Sequence, residues 1–131
     1  MNRPLFSPGF RLSTIDVCVL LVGAICCYFG VKVAWWLGSV VAFTVGHFFL
    51  FCNVFRMPRP LELAWATLFV SLSASTVATQ VPGWPISFGV SLAGTVAVVA
   101  FQMRQPSYHG IGWKKINPGL PEWWQARHEK A

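Results

Sequence analysis

The sequence predicts an all-α integral membrane protein of four transmembrane helices, arranged as two hairpins, with a short C-terminal interfacial segment on the cytoplasmic side. Three observations predict it. Of the 131 residues, 55% are hydrophobic and 11% charged, whereas a soluble domain carries roughly a quarter charged residues; as a soluble globule this chain would leave large apolar patches against water. The apolar residues gather into four runs of about 19 to 22 residues, and at about 1.5 Å per residue each crosses a hydrocarbon core of about 30 Å. The runs do not alternate in polarity, as the much shorter strands of a barrel would. Helix is then the structure that satisfies its own backbone without water.

Residues 1–11 are polar, broken by Pro4, Pro8 and Gly9. The first helix is expected over about 12–30. Ser13-Thr14-Ile15-Asp16 reads as a capping box, the Ser side chain taking an amide while Asp16 reaches back and meets the positive end of the helix dipole. The run is long enough to span and lacks a small-x-small cleavage site, so it is expected to be retained. Gly30-Val31-Lys32 is expected to form a short turn, with Trp35 and Trp36 at interfacial positions.

The second helix is expected over 34–55, the third over 61–80 and the fourth over 86–103. Pro58 and Pro60 stop one helix and start the next, because proline suits a first helical turn. Pro82-Gly83-Trp84-Pro85 marks a tight turn. Residues 1–104 thus form a four-helix transmembrane domain, and 105–131 a cytoplasmic aromatic and basic tail. Pro121-Glu122 opens a short helix in that tail, from Leu120 to about His128.

Orientation follows from charge. Of the ten Lys and Arg residues, Lys32 alone lies on one side. Arg3, Arg11, Arg56, Arg59, Arg104, Lys114, Lys115, Arg127 and Lys130 lie on the other. That asymmetry puts both termini and the middle loop in the cytoplasm, with the bacterial inner membrane as the fitting compartment, and it argues against a dual-topology dimer. The net charge of +6 does not signal nucleic acid, since the basic residues flank apolar runs instead of forming one stripe with aromatics.

Cys18, Cys26, Cys27 and Cys52 all lie in apolar runs without C-x-x-C or zinc spacing, and read as small packing residues. Nucleophile elbows, P-loops and metal-ligand sets are absent from the sequence, so no catalytic or metal residue is assigned and no cofactor is specified. His47 lies near the middle of the second run, where a polar group needs a partner and is a default functional candidate. Its simpler role is a hydrogen bond to a hydroxyl or carbonyl.

Asn53, Arg56, Arg59, Glu62 and Asp16 converge on the cytoplasmic boundary. There Asn and Arg could bind a carboxylate or phosphate, or could simply cap and pair. Ligand-binding candidates are therefore His47, Asn53, Arg56 and Glu62.

Small residues at four-residue spacing mark helix-packing seams. These are Gly38, Ala42 and Gly46 in the second run, Ser71 and Ser75 in the third, and Ser87 and Ser91 in the fourth. The serine stripes could also line a pore. Trp113, Trp123 and Trp124 with Lys114 and Lys115 suit the inner membrane surface or a protein partner.

Expected partners are the lipid bilayer and other membrane proteins or further copies of the chain. The first functional expectation is a non-enzymatic subunit or accessory of a larger membrane complex. A small homo-oligomeric channel or transporter comes second, and a redox or pigment-binding protein using His47 third. Topology is directly checkable. Reporter fusions after Met57 and Arg104 are expected to read cytoplasmic, and fusions near Lys32 and Gly83 external; an external reading after Arg104 would reverse the orientation.

Overall fold

A computed structural model describes residues 5–130 of the chain; Arg3 of the basic set lies outside them. The described residues are helical, without a strand. Four helices are long and apolar enough to cross a membrane. They divide between two compact units, Met1–Arg56 with Pro106–Ala131, and Met57–Gln105.

In the first unit, α1 (Thr14–Val33) starts on the expected capping box. The Asp16 amide donates to Ser13 Oγ at 3.3 Å, and the Ser13 amide to Asp16 Oδ2 at 2.7 Å. The helix runs through Gly30-Val31-Lys32, where a turn was expected. The break falls at Ala34, a single extended residue (φ −157°, ψ 138°) that ends α1 and opens α2 (Trp35–Phe49).

The reason lies in the glycines. A Cβ on Gly30 would stand 3.1 Å from the amide nitrogen of Gly38, and one on Gly23 would stand 2.9 Å from the Val45 methyls. These two contacts run in opposite chain order, so α1 and α2 lie antiparallel and nearly backbone to backbone. Such proximity lets dispersion and weak polar contacts act between helices; the Cys27 thiol donates to the Gly38 carbonyl at 3.3 Å. Gly38 is buried as expected. Ala42 and Gly46 are exposed, and a Cβ at Gly46 would meet nothing within 4 Å. The close contact expected at Gly46 is thus not made within the chain; the seam passes through Val45.

Past Phe49, α2 continues as one π turn, Leu50–Val54, in which the Phe55 amide reaches back five residues to the Leu50 carbonyl at 2.9 Å. A π turn widens the helix and leaves carbonyls off the regular ladder.

In the second unit, α3 (Arg59–Thr79) begins after Pro58 with Pro60 in its first turn, and α4 (Trp84–Met103) begins after Gly83 with Pro85 in its first turn. Each proline sits where a missing N–H costs nothing. Trp65 Nε1–H donates to the Ser91 carbonyl at 2.9 Å, and the hydroxyls of Thr76 and Ser87 meet at 2.8 Å. Trp65 stacks on Phe69, with 5.4 Å between centroids, and Gly94 leaves room for Leu68. Ser87 and Ser91 are fully buried. Ser71 and Ser75 face outward. The inward line of α3 is Trp65, Phe69 and Thr76, and the Ser75 hydroxyl instead bonds the Val81 carbonyl at 2.6 Å.

Gly38 tests the first seam. A Cβ there would overlap Val31 Cγ2 and stand 2.8 Å from the Val31 nitrogen and 2.9 Å from the Cys27 carbonyl oxygen, so backbone as well as a short branched side chain blocks it. Gly38→Leu is expected to cost about 1–3 kcal/mol or more, read as a lower unfolding midpoint in detergent with faster maleimide labelling of Cys27. An unchanged midpoint would mean that α1 and α2 do not pack as described.

Candidate functional site

The polar end of α2 is where the termini of the first unit come together. A helix end leaves carbonyls without intrahelical partners, and the π turn adds to the need. The chain answers from both sides. From the N-terminal arm, the Arg11 amide donates to the Asn53 carbonyl at 3.2 Å. The Asn53 side chain donates from Nδ2 to the Arg11 carbonyl at 2.7 Å. From the tail, the Ile111 amide donates to the Val54 carbonyl at 2.8 Å, and the Gly9 amide ties the two segments by donating to the His109 carbonyl at 2.6 Å.

Glycine makes the tail contact possible. A Cβ on Gly110 would stand 2.6 Å from the Phe55 carbonyl oxygen, a distance that backbone cannot yield. Tyr108 is wholly buried beside it, its phenol donating to the Ile111 carbonyl at 2.7 Å. Burial pushes that phenol above its ordinary pKa, because the ionised form loses water. Asn117 Nδ2 donates to the carbonyls of Pro106 at 2.7 Å and Tyr108 at 3.0 Å, closing the loop on itself.

The tail then forms a one-turn helix α5 (Trp113–Ile116) and a longer α6 (Leu120–Glu129), with Pro121 in the first turn of α6 and Leu120 fully buried. Phe6 of the arm meets Trp113 and Trp124, at centroid distances of 6.0 and 5.4 Å.

Arg56 follows immediately and is the polar centre of this junction. Its φ is +49°, a left-handed conformation ordinarily left to glycine after a helix end, at a cost of roughly 1–2 kcal/mol. Its Nη1–H donates to the Ser7 carbonyl. Burial, then the like charge of Arg11, pushes the guanidinium below its ordinary pKa. A small cavity of about 40 Å³ lies against it, lined by Leu5, Phe6, Ser7, Pro8, His109 and Trp124.

Of the sequence-derived candidates, Asn53 and Arg56 therefore share one junction. Asn53 is consumed in tying the arm to α2, and it is 3% exposed, so a structural role accounts for it. Glu62 lies in the first turn of α3, in the second unit. His47 is buried in α2; its Nδ1–H donates to the Phe43 carbonyl at 2.8 Å, and its ring lies 4.2 Å from that of Phe43 and 5.6 Å from that of Phe51.

Trp113 and Trp124 face the arm, and Trp124 also stacks on His128. Trp123 carries Arg127 over its ring at 5.3 Å, and Lys114 and Lys115 are exposed. No group of His, Cys, Asp or Glu able to hold a metal ion occurs among the described residues. Sequence reasoning missed Gly9, Tyr108, Gly110 and Asn117. Two glycines and an Asn-Pro-Gly turn in a short polar segment were the available signal, and they indicate a folded loop better than a free strap.

Searches with the chain against protein-family models, curated proteins and solved structures found no match. The class rests on the chain's own features: a small all-helical protein with four membrane-capable helices and a junction of both terminal segments at the end of the second.

Proposed function

We propose that the chain is an integral protein of the bacterial inner membrane, two helical hairpins with both termini cytoplasmic, serving as a non-enzymatic subunit of a larger membrane complex. One observation carries this reading: small-residue helix faces point outward. Ala42 and Gly46 of α2 and Gly89, Ala93 and Ala97 of α4 are exposed, and a Cβ at Gly46 or Gly89 would meet nothing within 4 Å. Ser71 and Ser75 of α3 are exposed as well. In lipid, such faces give helices of another subunit a close approach.

A small homo-oligomeric channel is the second reading, favoured by the outward hydroxyls of α3. Against it, Thr67, Ser75 and Thr79 already donate to backbone carbonyls of their own unit. These hydroxyls therefore offer a permeating species acceptors more readily than donors. The redox reading of His47 gains nothing specific from the bond of Nδ1–H to its own helix, because a packed histidine and one ligating through Nε2 both make it.

The test pairs Gly46→Leu with Gly89→Leu. Both variants are expected to keep the wild-type unfolding midpoint. After gentle solubilisation, each is expected to lose most of a partner that mass spectrometry finds in fixed stoichiometry with the wild type. A homo-oligomer of this chain alone would favour the channel. A wild-type monomer without partners would overturn both readings.

A further inference from the structure

Arg56 is a half-buried cation that meets no anion among the described residues. Its guanidinium offers five donors in a planar fork. Among the described residues, the one hydrogen bond that it makes is from Nη1 to the Ser7 carbonyl. The charge that acts on it is Arg11, of the same sign. Asp16, the acid of this neighbourhood, is engaged by the Ser13 amide and hydroxyl at 2.7 and 2.6 Å, and its charge acts on Arg11.

A guanidinium cannot escape its desolvation by losing a proton, and a buried charge is ordinarily paired. The backbone nevertheless adopts a costly left-handed φ to put Arg56 here. Strain of that kind, held in place by surrounding contacts, clusters at ligand clamps.

The cavity beside it has a definite capacity. At about 40 Å³ it exceeds the roughly 10–15 Å³ that one water needs, so it takes a group of a few heavy atoms and no more. Its walls are the apolar Leu5, Phe6, Pro8 and Trp124 with Ser7 and His109. They would keep bulk water from a charge bound between them. Arg56 lines it from the end of α2, and Arg11 of the arm lies close enough for its charge to act on Arg56.

We propose that this cavity binds a phosphate-type oxyanion, gripped by the open edge of the Arg56 guanidinium and neutralised jointly with Arg11. Phosphate fits because its several acceptor oxygens can take a bidentate grip from the planar guanidinium fork. The geometry admits the phosphate group alone, with the rest of any larger molecule outside. Two sources share that chemistry: the headgroup of an anionic phospholipid, and free phosphate from solution.

The test uses the full chain, delipidated in a non-ionic detergent. It is titrated separately with inorganic phosphate, at chloride-matched ionic strength, and with phosphatidylglycerol. Trp124 in the cavity wall makes tryptophan fluorescence one readout and the unfolding midpoint a second. Wild type is expected to respond saturably to at least one probe. A response to phosphate identifies a free anion site, and a response to phosphatidylglycerol alone identifies a headgroup site.

Losing a charge-assisted bidentate grip is expected to weaken the apparent affinity of Arg56→Gln about tenfold or more. Arg11→Gln keeps the backbone bonds at its position and is expected to weaken it several-fold, while Lys32→Gln leaves it unchanged. No saturable response to either probe, or wild-type affinity in Arg56→Gln, would overturn the proposal. Should Arg56→Gln fail to fold, wild-type affinity in Arg11→Gln would overturn it equally.

Discussion

The first unit depends on how the end of its second helix is satisfied. A helix that stops must place its last carbonyls somewhere, and an unpaired buried backbone group costs about as much as a lost hydrogen bond or more. Here the π turn Leu50–Val54 widens the end and leaves carbonyls off the regular ladder. Asn53 and Val54 then accept from Arg11 in the arm and Ile111 in the tail. The segments around Arg11 and Ile111 are thereby held at one place. The strained Arg56, the buried Tyr108 and the small cavity are all consequences of that closure.

Each hairpin of the proposed arrangement has its own chemistry of contact. In α1 and α2 the helices approach over Gly23, Gly30 and Gly38, and the gain is proximity. In α3 and α4 they are separated by Trp65, Phe69 and Phe88, and the specific bonds are polar: an indole to a carbonyl and a pair of hydroxyls. Both solutions suit a medium in which apolar contact alone does not drive helices together. Both also leave much of the surface apolar, as in the exposed Leu21, Val22 and Phe29 of α1.

The spans, the Ser13–Asp16 capping box, the proline starts of α3, α4 and α6 and the buried Ser87 and Ser91 were legible in the sequence because each is a local signal. The seams of α2 and α3 were not, and for α2 the reason is geometric. A four-residue step advances about 400°, so a stripe of such steps drifts about 40° each time around the helix. Gly38, Ala42 and Gly46 therefore leave the face on which they begin. Seven-residue spacing nearly returns to it, and the contacts of α1 with α2 follow that spacing, Gly23 and Gly30 against Val45 and Gly38, whereas α3 buries Trp65, Phe69 and Thr76 instead of its serines. The junction at Arg56 was visible as a gathering of polar residues, but not its partners. Those come from residues 7–11 and 106–117, which carry little periodicity, and only tertiary contact assigns Gly110 and Asn117 their tasks.

The account's central claim is that the terminal segments are bonded to the end of α2. Hydrogen exchange of individual amides in the detergent-solubilised chain tests it most directly. The amides of Gly9, Arg11 and Ile111 are the donors of the three bonds that make the closure, and all three are predicted to exchange far more slowly than an unstructured peptide. If they exchange at the rate of an open chain while the amides of α2 stay protected, the terminal segments are not held there and the closure does not exist.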